Sequence, residues 1–195
     1  MHEKKVEKFY STGSKRRKPD FVHVKQFDDG FLSFGYWKRG TEPYFKATRR
    51  LLDYVIKNSG IKNPSRILNV ACGYGTETFA YFRKFRPKFI QGLDITKVHT
   101  VYANNKAKVM GLADRIRFKH GDACRLDFPE GSFSHVIGVE GPAHFNTREK
   151  FFAAANKVLE KDGELLLTDI ILGPKFNRKK MFHRAAVRFV AKWWV

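Results

Sequence analysis

The chain has 195 residues, of which 43% are hydrophobic and 15% aromatic, enough to bury the core of one folded domain. Lysine and arginine number 38 against 19 acidic residues, and the net charge of +19 favours anionic partners without choosing among nucleic acid, lipid and metabolites. Two cysteines, Cys72 and Cys124, make neither a disulfide framework nor a metal site, and we expect no signal peptide and no membrane span. These observations predict a cytoplasmic domain without a bound metal.

The N-terminal residues 1–43 predict a basic arm and an aromatic segment. Val6, Phe9 and Tyr10 stand at near-helical spacing. A run of four basic residues follows, which is typical of a solvated arm and, as the alternative, of a nucleic-acid contact. Residues 31–37 then gather aromatic side chains around a glycine. A segment of this kind usually packs in a core.

Residues 66–94 carry the strongest pattern in the chain. A short apolar strand breaks into a glycine turn and a helix, and a second apolar strand ends in Asp94. Gly73 and Gly75 lack a Cβ, so the backbone can turn sharply and approach a ligand closely. A carboxylate in the position of Asp94 can accept hydrogen bonds from a ribose diol. The pattern therefore predicts a crossover that binds a ligand containing a ribose.

The glycine turn departs from a dinucleotide fingerprint in two ways. Thr78 stands where the third glycine would be expected. Glu77 places a negative charge at the start of the helix, where it would compete with a pyrophosphate for the positive helix end. A cationic ligand without phosphate fits this turn better.

The rest of the chain predicts alternating helices and strands. In chain order these are a helix over 44–59, a crossover helix over 76–86, a helix over 96–110, a strand over 116–120 and a segment over 128–145 that contains a fourth strand and its exit loop. A helix that begins with a capping box of Asn146 and Glu149 then runs to Leu159, and a turn at 161–163 leads to a strand over 164–171.

The stretch from Asn69 to Gly75 resembles the first motif of the class I S-adenosylmethionine-dependent methyltransferases. It has Asn69 in place of the family's usual acid and Ala71 in place of its usual first glycine. The end of the third strand, Gly121-Asp122-Ala123, is similar to the family's Gly-Asp-Ala. The resemblance implies an α/β fold with a Rossmann-like, doubly wound and mostly parallel sheet, and S-adenosylmethionine as the cofactor.

The resemblance also implies a set of cofactor-binding residues at the carboxyl ends of adjacent strands, where α/β proteins bind ligands. Asp122 would accept a hydrogen bond from the adenine amino group, or else only cap a turn. His99 stands where the family often has glutamine, and an exposed helical histidine is the alternative. In similar enzymes a Gly-Tyr-Trp such as residues 35–37 lies over the cofactor, so the resemblance makes residues 1–43 a basic arm with a cofactor-covering segment in which Tyr36, and after it Trp37, covers the cofactor. The full set comprises Tyr36, Asn69, Ala71, Gly73, Gly75, Asp94, Ile95, His99, Asp122, Ala123 and Glu140.

His144 and Asp169 are the candidate catalytic residues. Through Gly35-Tyr36-Trp37 and Ala143-His144-Phe145 the chain resembles in particular the subgroup of sterol, cyclopropane and natural-product small-molecule methyltransferases. In natural-product O-methyltransferases of this subgroup, a histidine after the fourth strand acts as a base and an aspartate in the fifth strand orients it. A hydrogen-bonded structural histidine is the alternative.

The implied function is methyl transfer to a small-molecule or lipid-like acceptor, with a hydroxyl oxygen preferred over carbon and nitrogen. Such a transfer requires alignment and exclusion of water but no metal.

The C-terminal residues 174–195 predict a basic amphipathic helix after a core at 44–173. It would act as a packed lid or lie on an anionic membrane surface through residues 180–195, which would place the protein at the periphery of a membrane. Family members continue through two further strands, so five strands suggest a truncated, split or reduced form, or a sheet completed by an oligomer or a second chain.

Two other functions stay open at this point. An RNA methyltransferase is encouraged by the net charge of +19. It is not favoured, because Glu140-Gly-Pro-Ala143 replaces the Asn/Asp-Pro-Pro turn of the enzymes that methylate exocyclic amines. The other alternative is a relic that binds the cofactor without turnover.

Overall fold

The computed structural model describes residues 2–12 and 30–171. Its helices are α1 (His2–Thr12), α2 (Tyr44–Asn58), α3 (Thr76–Phe85), α4 (Lys97–Val109) and α5 (Arg148–Val158), with a short 3₁₀ helix at Pro142–His144. Its strands are β1 (Arg66–Val70), β2 (Phe89–Asp94), β3 (Ile116–His120), β4 (Phe133–Val139) and β5 (Leu159–Thr168). The basic run at 15–18 and the helix predicted over 174–195 lie outside the described residues.

The five strands form one sheet in the order β3-β2-β1-β4-β5, and every pairing is parallel. From β1 the chain first extends the sheet through β2 to β3, and then returns to the other side of β1 to add β4 and β5. The topological switch point therefore lies between β1 and β4, which is where α/β sheets of this kind bind ligands. The predicted Rossmann-like sheet is confirmed.

The sheet is covered on both faces because successive side chains of each strand point to opposite sides. On one face Ile67 of β1 belongs to a buried cluster with residues of α2, α3 and α4. On the other face Leu68 and Val70 belong to a second cluster with Phe151 of α5. These two cores hold the strand ends in place around the switch point.

Two predicted boundaries differ from the structure. The N-cap of α5 is Thr147 and not Asn146, because the Thr147 hydroxyl accepts the N–H of Lys150 at 3.4 Å. The strand predicted over 164–171 runs from Leu159 to Thr168. The predicted turn at 161–163 lies inside this strand as an irregularity, where the pairing shifts register between Phe133 and His135.

None of the described helices combines the length and the apolar character that crossing a membrane requires. The described part of β5 pairs with β4 only, so its outer edge has no strand partner within residues 2–12 and 30–171.

Candidate cofactor and active site

A cleft lies at the carboxyl ends of β1, β2, β3 and β4, at the switch point of the sheet. The space between its walls is about 970 Å³ with open solvent included. The loops that follow the four strands form its floor. Helix α1 and residues 30–34, which we call the covering segment, line the opposite side.

Nine of the predicted site residues line this cleft and four do not. Those that line it are Ala71, Gly73, Asp94, Ile95, His99, Asp122, Ala123, Glu140 and His144. Those outside the lining are Tyr36, Asn69, Gly75 and Asp169. The sequence predicts a cofactor-covering segment within residues 1–43 but places the cover at Tyr36 and Trp37, whereas Gly30, Leu32, Ser33 and Phe34 line the cleft. Further lining residues were not predicted from the sequence as part of the site, among them Tyr10, Cys72, Tyr74 and Glu77.

The turn after β1 has the strained geometry that its glycines allow. Gly73 and Gly75 have φ of +50° and +81°. Ala71 also has a positive φ, of +51°. The resembled family has glycine at this position, and the left-handed conformation explains why glycine is preferred there. A Cβ at Gly75 would lie 2.6 Å from the Phe118 ring, so Gly75 permits close packing behind the cleft.

Asp94 organises the floor of the cleft. Its Oδ2 accepts the N–H of Gly73 at 2.8 Å, and its Oδ1 accepts the N–H of Thr96 at 2.8 Å. Burial raises the pKa of the Asp94 carboxyl, but hydrogen bonds from His99, Thr96 and Gly73 outweigh burial and hold the pKa below its ordinary value. Asp94 is therefore a buried carboxylate, and Oδ2 retains one lone pair for a ligand.

His99 supports Asp94 from α4. Its side chain is buried, which rules out the alternative of an exposed helical histidine. Nδ1 lies 3.2 Å from Oδ1 of Asp94, and the ring centroid lies 4.3 Å from that of Tyr74. His99 thus fixes the orientation of the Asp94 carboxylate from behind.

Asp122 caps a turn and also lines the cleft. Oδ1 accepts the N–H of Cys124 at 2.8 Å, and Oδ2 accepts a hydrogen bond from Nε of Arg125 at 3.1 Å. Arg125 in turn reaches Glu3 of α1 at 3.3 Å. The turn after β3 is therefore tied to the helix that covers the cleft.

The two remaining predicted binding residues outside the lining have structural partners. The Asn69 amide is buried and donates to the Thr78 hydroxyl at 2.8 Å, which joins β1 to α3. Tyr36 is half exposed, and its backbone N–H donates to the carbonyl of Ala47 at 2.9 Å. The covering role that sequence analysis assigned to Tyr36 falls on residues upstream of it.

Glu140 connects the covering segment to the sheet. Its carboxylate accepts the backbone N–H of Phe34, and its own N–H donates to the carbonyl of Thr168 at 2.9 Å. Burial raises the pKa of the Glu140 carboxyl, although the N–H groups of Phe34 and Gly35 oppose that shift.

His144 at the mouth of the cleft pairs with Tyr10. The Tyr10 hydroxyl lies 2.9 Å from Nε2 of His144, and the two rings meet edge to face at 5.4 Å. Burial, together with the charges of Asp94 and Glu140, raises the pKa of Tyr10 to about 12. The phenol therefore keeps its proton near neutral pH, and its oxygen can accept the N–H of Nε2, the tautomer in which Nδ1 carries the lone pair of the imidazole.

Asp169 is not brought to His144. Its carboxylate accepts two hydrogen bonds from Arg148, at 2.6 and 3.1 Å, in a bidentate pair at the start of α5. Asp169 follows the last residue of β5, Thr168, and these two hydrogen bonds hold its side chain against the start of α5. The structure places Tyr10 at the ring of His144 instead.

Replacement of Asp169 by Asn is therefore expected to leave the methyl-transfer rate within about threefold of wild type, since the exposed pair with Arg148 stabilises by about 1 kcal/mol or less. Steady-state kinetics measure the rate, and thermal unfolding measures the stability that is lost with the ion pair. A hundredfold fall in kcat without loss of stability would restore Asp169 as the partner of His144.

Carboxylates dominate the cleft of this basic chain. Its lining includes five acidic residues and, among the described residues, neither lysine nor arginine; the acidic residues are Glu3, Glu77, Asp94, Asp122 and Glu140. A cleft of one sign concentrates ligands of the opposite sign. The lining therefore favours a ligand with positive charge, as the glycine turn predicts.

The sequence and the fold both match known proteins. Residues 67–163 match the model of a family described as "Methyltransferase domain". The chain is 31% identical over 149 residues to erythromycin 3''-O-methyltransferase of Saccharopolyspora erythraea, a match that covers 76% of this chain and 49% of that protein. It is also 31% identical over 145 residues to a sterol 24-C-methyltransferase of Gibberella zeae, covering 72% of this chain and 37% of that protein.

A solved structure supports the fold. Geranyl diphosphate C-methyltransferase from Streptomyces coelicolor A3(2), in complex with Mg²⁺, geranyl-S-thiolodiphosphate and S-adenosyl-L-homocysteine, superposes with a TM-score of 0.78. The sequence identity is 11%, and the superposition covers 98% of this chain and 73% of that one.

The chain spans about half the length of the erythromycin relative and little more than a third of the sterol relative. It belongs to the class I S-adenosylmethionine-dependent methyltransferases, whose cofactor is S-adenosylmethionine.

Proposed function

We propose that the cleft binds S-adenosylmethionine and that the protein transfers the cofactor's methyl group to a hydroxyl oxygen of a small-molecule or lipid-like acceptor. The observation that carries the proposal is the carboxylate-lined cleft at the switch point of an otherwise basic chain. S-adenosylmethionine is cationic, contains a ribose and has no phosphate, so it suits both the charge of the cleft and the glycine turn.

The cofactor-binding roles follow from the strand ends. The free lone pair of Asp94 would accept a ribose hydroxyl, while Asp122 and Ala123 would hold the adenine. Ala71, Gly73 and Ile95 line the same cleft and would contact the cofactor there. Asn69, Gly75 and Tyr36 support the proposed site through the backbone and packing contacts described above.

The chemistry assigned to the protein is alignment and proton removal. When bound, S-adenosylmethionine would supply its methyl group: the acceptor oxygen would attack the methyl carbon in line with the carbon–sulfur bond, and the sulfur would leave as the thioether of S-adenosylhomocysteine. His144 would take the proton of the acceptor hydroxyl at Nδ1, in the tautomer whose Nε2–H donates to the Tyr10 oxygen and is held in position by it. Helix α1 and the covering segment, which line the cleft, would exclude water from this reaction.

The relatives differ in their acceptors. The erythromycin relative is named as an O-methyltransferase and the sterol relative as a C-methyltransferase. A pocket rich in carboxylates would also suit carbon methylation, since addition of a methyl cation to a double bond leaves a positive charge on the acceptor. We favour oxygen because an imidazole stands at the mouth of the cleft, where a hydroxyl proton must be removed.

A methyl-transfer assay tests the proposal. The purified protein is incubated with S-adenosylmethionine labelled in the methyl group and with three sets of acceptors: hydroxylated macrolides, phenols and sterols. We expect label to appear in an ether product together with an equal amount of S-adenosylhomocysteine. Label found only on the side-chain carbon of sterols would favour carbon methylation. Failure to bind S-adenosylmethionine would contradict the proposed function as a whole.

Contact with nucleic acid, a membrane surface or a second chain remains a prediction of the sequence. The membrane-surface prediction concerns residues 180–195, which lie outside the described part of the chain.

A further inference from the structure

Glu77 occupies a distinctive place in the cleft. It lies in the first turn of α3 and lines the cleft beside the turn after β1. Within residues 2–12 and 30–171, no other side chain makes a hydrogen bond or an ion pair with its carboxylate. It is the only acidic residue between the start of β1 and the end of α3. Asn69, which is neutral and turned towards Thr78, supplies no charge to the cleft.

The groups that face Glu77 oppose its ionisation. Burial raises the pKa of its carboxyl to about 7, and the charges of Glu140 after β4 and Asp94 at the end of β2 contribute to the rise. The other titratable groups that interact with it are two tyrosines and a cysteine whose own pKa values are raised: Tyr44 of α2, Tyr81 of α3 and Cys72 of the β1 turn. No lysine or arginine of the described residues lines the cleft to balance these charges.

We propose that Glu77 is a proton-linked counter-ion: it gives up a proton to solvent when the positively charged cofactor enters the cleft, and this makes the cleft prefer S-adenosylmethionine over S-adenosylhomocysteine. The inference rests on the proposed function, because it requires the cofactor to bind in this cleft. The sulfonium gives S-adenosylmethionine a net charge of +1 near neutral pH, whereas the thioether product has none. An ionised Glu77 therefore stabilises bound S-adenosylmethionine more than bound S-adenosylhomocysteine.

The sign of the pH dependence follows from the ionisation of the free cleft. A bound cation lowers the pKa of Glu77, so below pH 7 binding must expel a proton and the affinity falls as the pH falls. Above pH 8 the carboxylate is already ionised and the affinity becomes independent of pH. Between pH 8 and pH 6 the affinity for S-adenosylmethionine should fall about tenfold, and that for S-adenosylhomocysteine by less than about threefold.

Calorimetric titration of the full chain tests the proposal. S-adenosylmethionine and S-adenosylhomocysteine are titrated at pH 6, 7 and 8 in two buffers that differ in ionisation enthalpy, so that the number of protons released is measured directly. We expect release on binding of S-adenosylmethionine to be largest at pH 6 and to vanish by pH 8. The wild-type series gives this result without any variant.

Glu77→Gln provides the second readout, because it keeps the size of the side chain and removes the titrating proton. We expect this variant to release no proton, to lose the pH dependence of S-adenosylmethionine binding and to lose about tenfold in the preference for S-adenosylmethionine over S-adenosylhomocysteine at pH 8. Glu130→Gln is the matched control, since it removes the same charge from an exposed side chain that pairs with Lys157. Its titrations should equal those of wild type.

Four outcomes overturn the inference. These are binding of S-adenosylmethionine without proton release at pH 6, proton release that persists in Glu77→Gln, equal release with both ligands, and wild-type affinity that does not change between pH 6 and pH 8. If wild type binds neither ligand at any pH, the proposed function fails and the inference fails with it. Binding without proton release overturns the inference alone.

Discussion

Replacement of Asp94 by Asn is expected to weaken the binding of S-adenosylmethionine by at least about a hundredfold. The amide would turn its NH₂ group towards the N–H of either Gly73 or Thr96 and leave one buried donor without an acceptor. Such a loss costs about 1–3 kcal/mol, and loss of a charge-assisted hydrogen bond to the ribose adds about 1.5–3 kcal/mol. The negative charge that helps to hold a cation in the cleft is removed as well.

Calorimetric titration with S-adenosylmethionine measures this effect, and thermal unfolding without ligand separates it from a loss of fold. Asp127→Asn is the matched control, because the Asp127 side chain is 94% exposed and pairs only with Lys119 among the described residues. The control should bind within about twofold of wild type, as expected for an exposed pair. An affinity of Asp94→Asn equal to that of wild type would show that the cofactor does not use the end of β2.

The floor of the cleft could be predicted because local sequence determines it. The turn after β1 requires positive φ at Gly73 and Gly75, and a strand that ends in an acid places Asp94 beside that turn. Parallel pairing of β1, β2 and β3 then brings the three strand ends to one edge. Each of these steps depends on residues that are close in the sequence, or on the general rules that consecutive elements lie side by side and that the crossover between parallel strands is right-handed.

Which residues cover the cleft could not be predicted, because that depends on packing between distant segments. Tyr10 and His144 are 134 positions apart, and only the docking of α1 brings them together. Helical spacing around Tyr10 indicates that a helix forms, but it does not indicate where the helix packs. Tyr36 failed as a lining residue for a related reason, since contacts with α2 determine which part of the aromatic segment faces the cleft.

Replacement of His144 by Ala is expected to lower kcat by about a hundredfold or more while the affinity for S-adenosylmethionine stays within about threefold of wild type. The imidazole would be the group that accepts the hydroxyl proton, and it stands at the mouth of the cleft with its Nε2 next to Tyr10. The cofactor contacts assigned to Asp94 and Asp122 belong to other strand ends, so they should persist in the variant.

Tyr10→Phe separates the roles of the two rings, because it removes only the hydroxyl that lies 2.9 Å from Nε2. Since the phenol positions the imidazole and, with a pKa of about 12, keeps its own proton, we expect a smaller fall in kcat, about tenfold, with little change in KM. Tyr54→Phe, on an exposed ring of α2, is the control and should leave both constants unchanged.

A His144→Ala enzyme with the wild-type rate would exclude base catalysis by this residue and favour an acceptor carbon, which has no hydroxyl proton to lose. A Tyr10→Phe enzyme as slow as His144→Ala would instead mean that the pair acts as one unit in removing the proton.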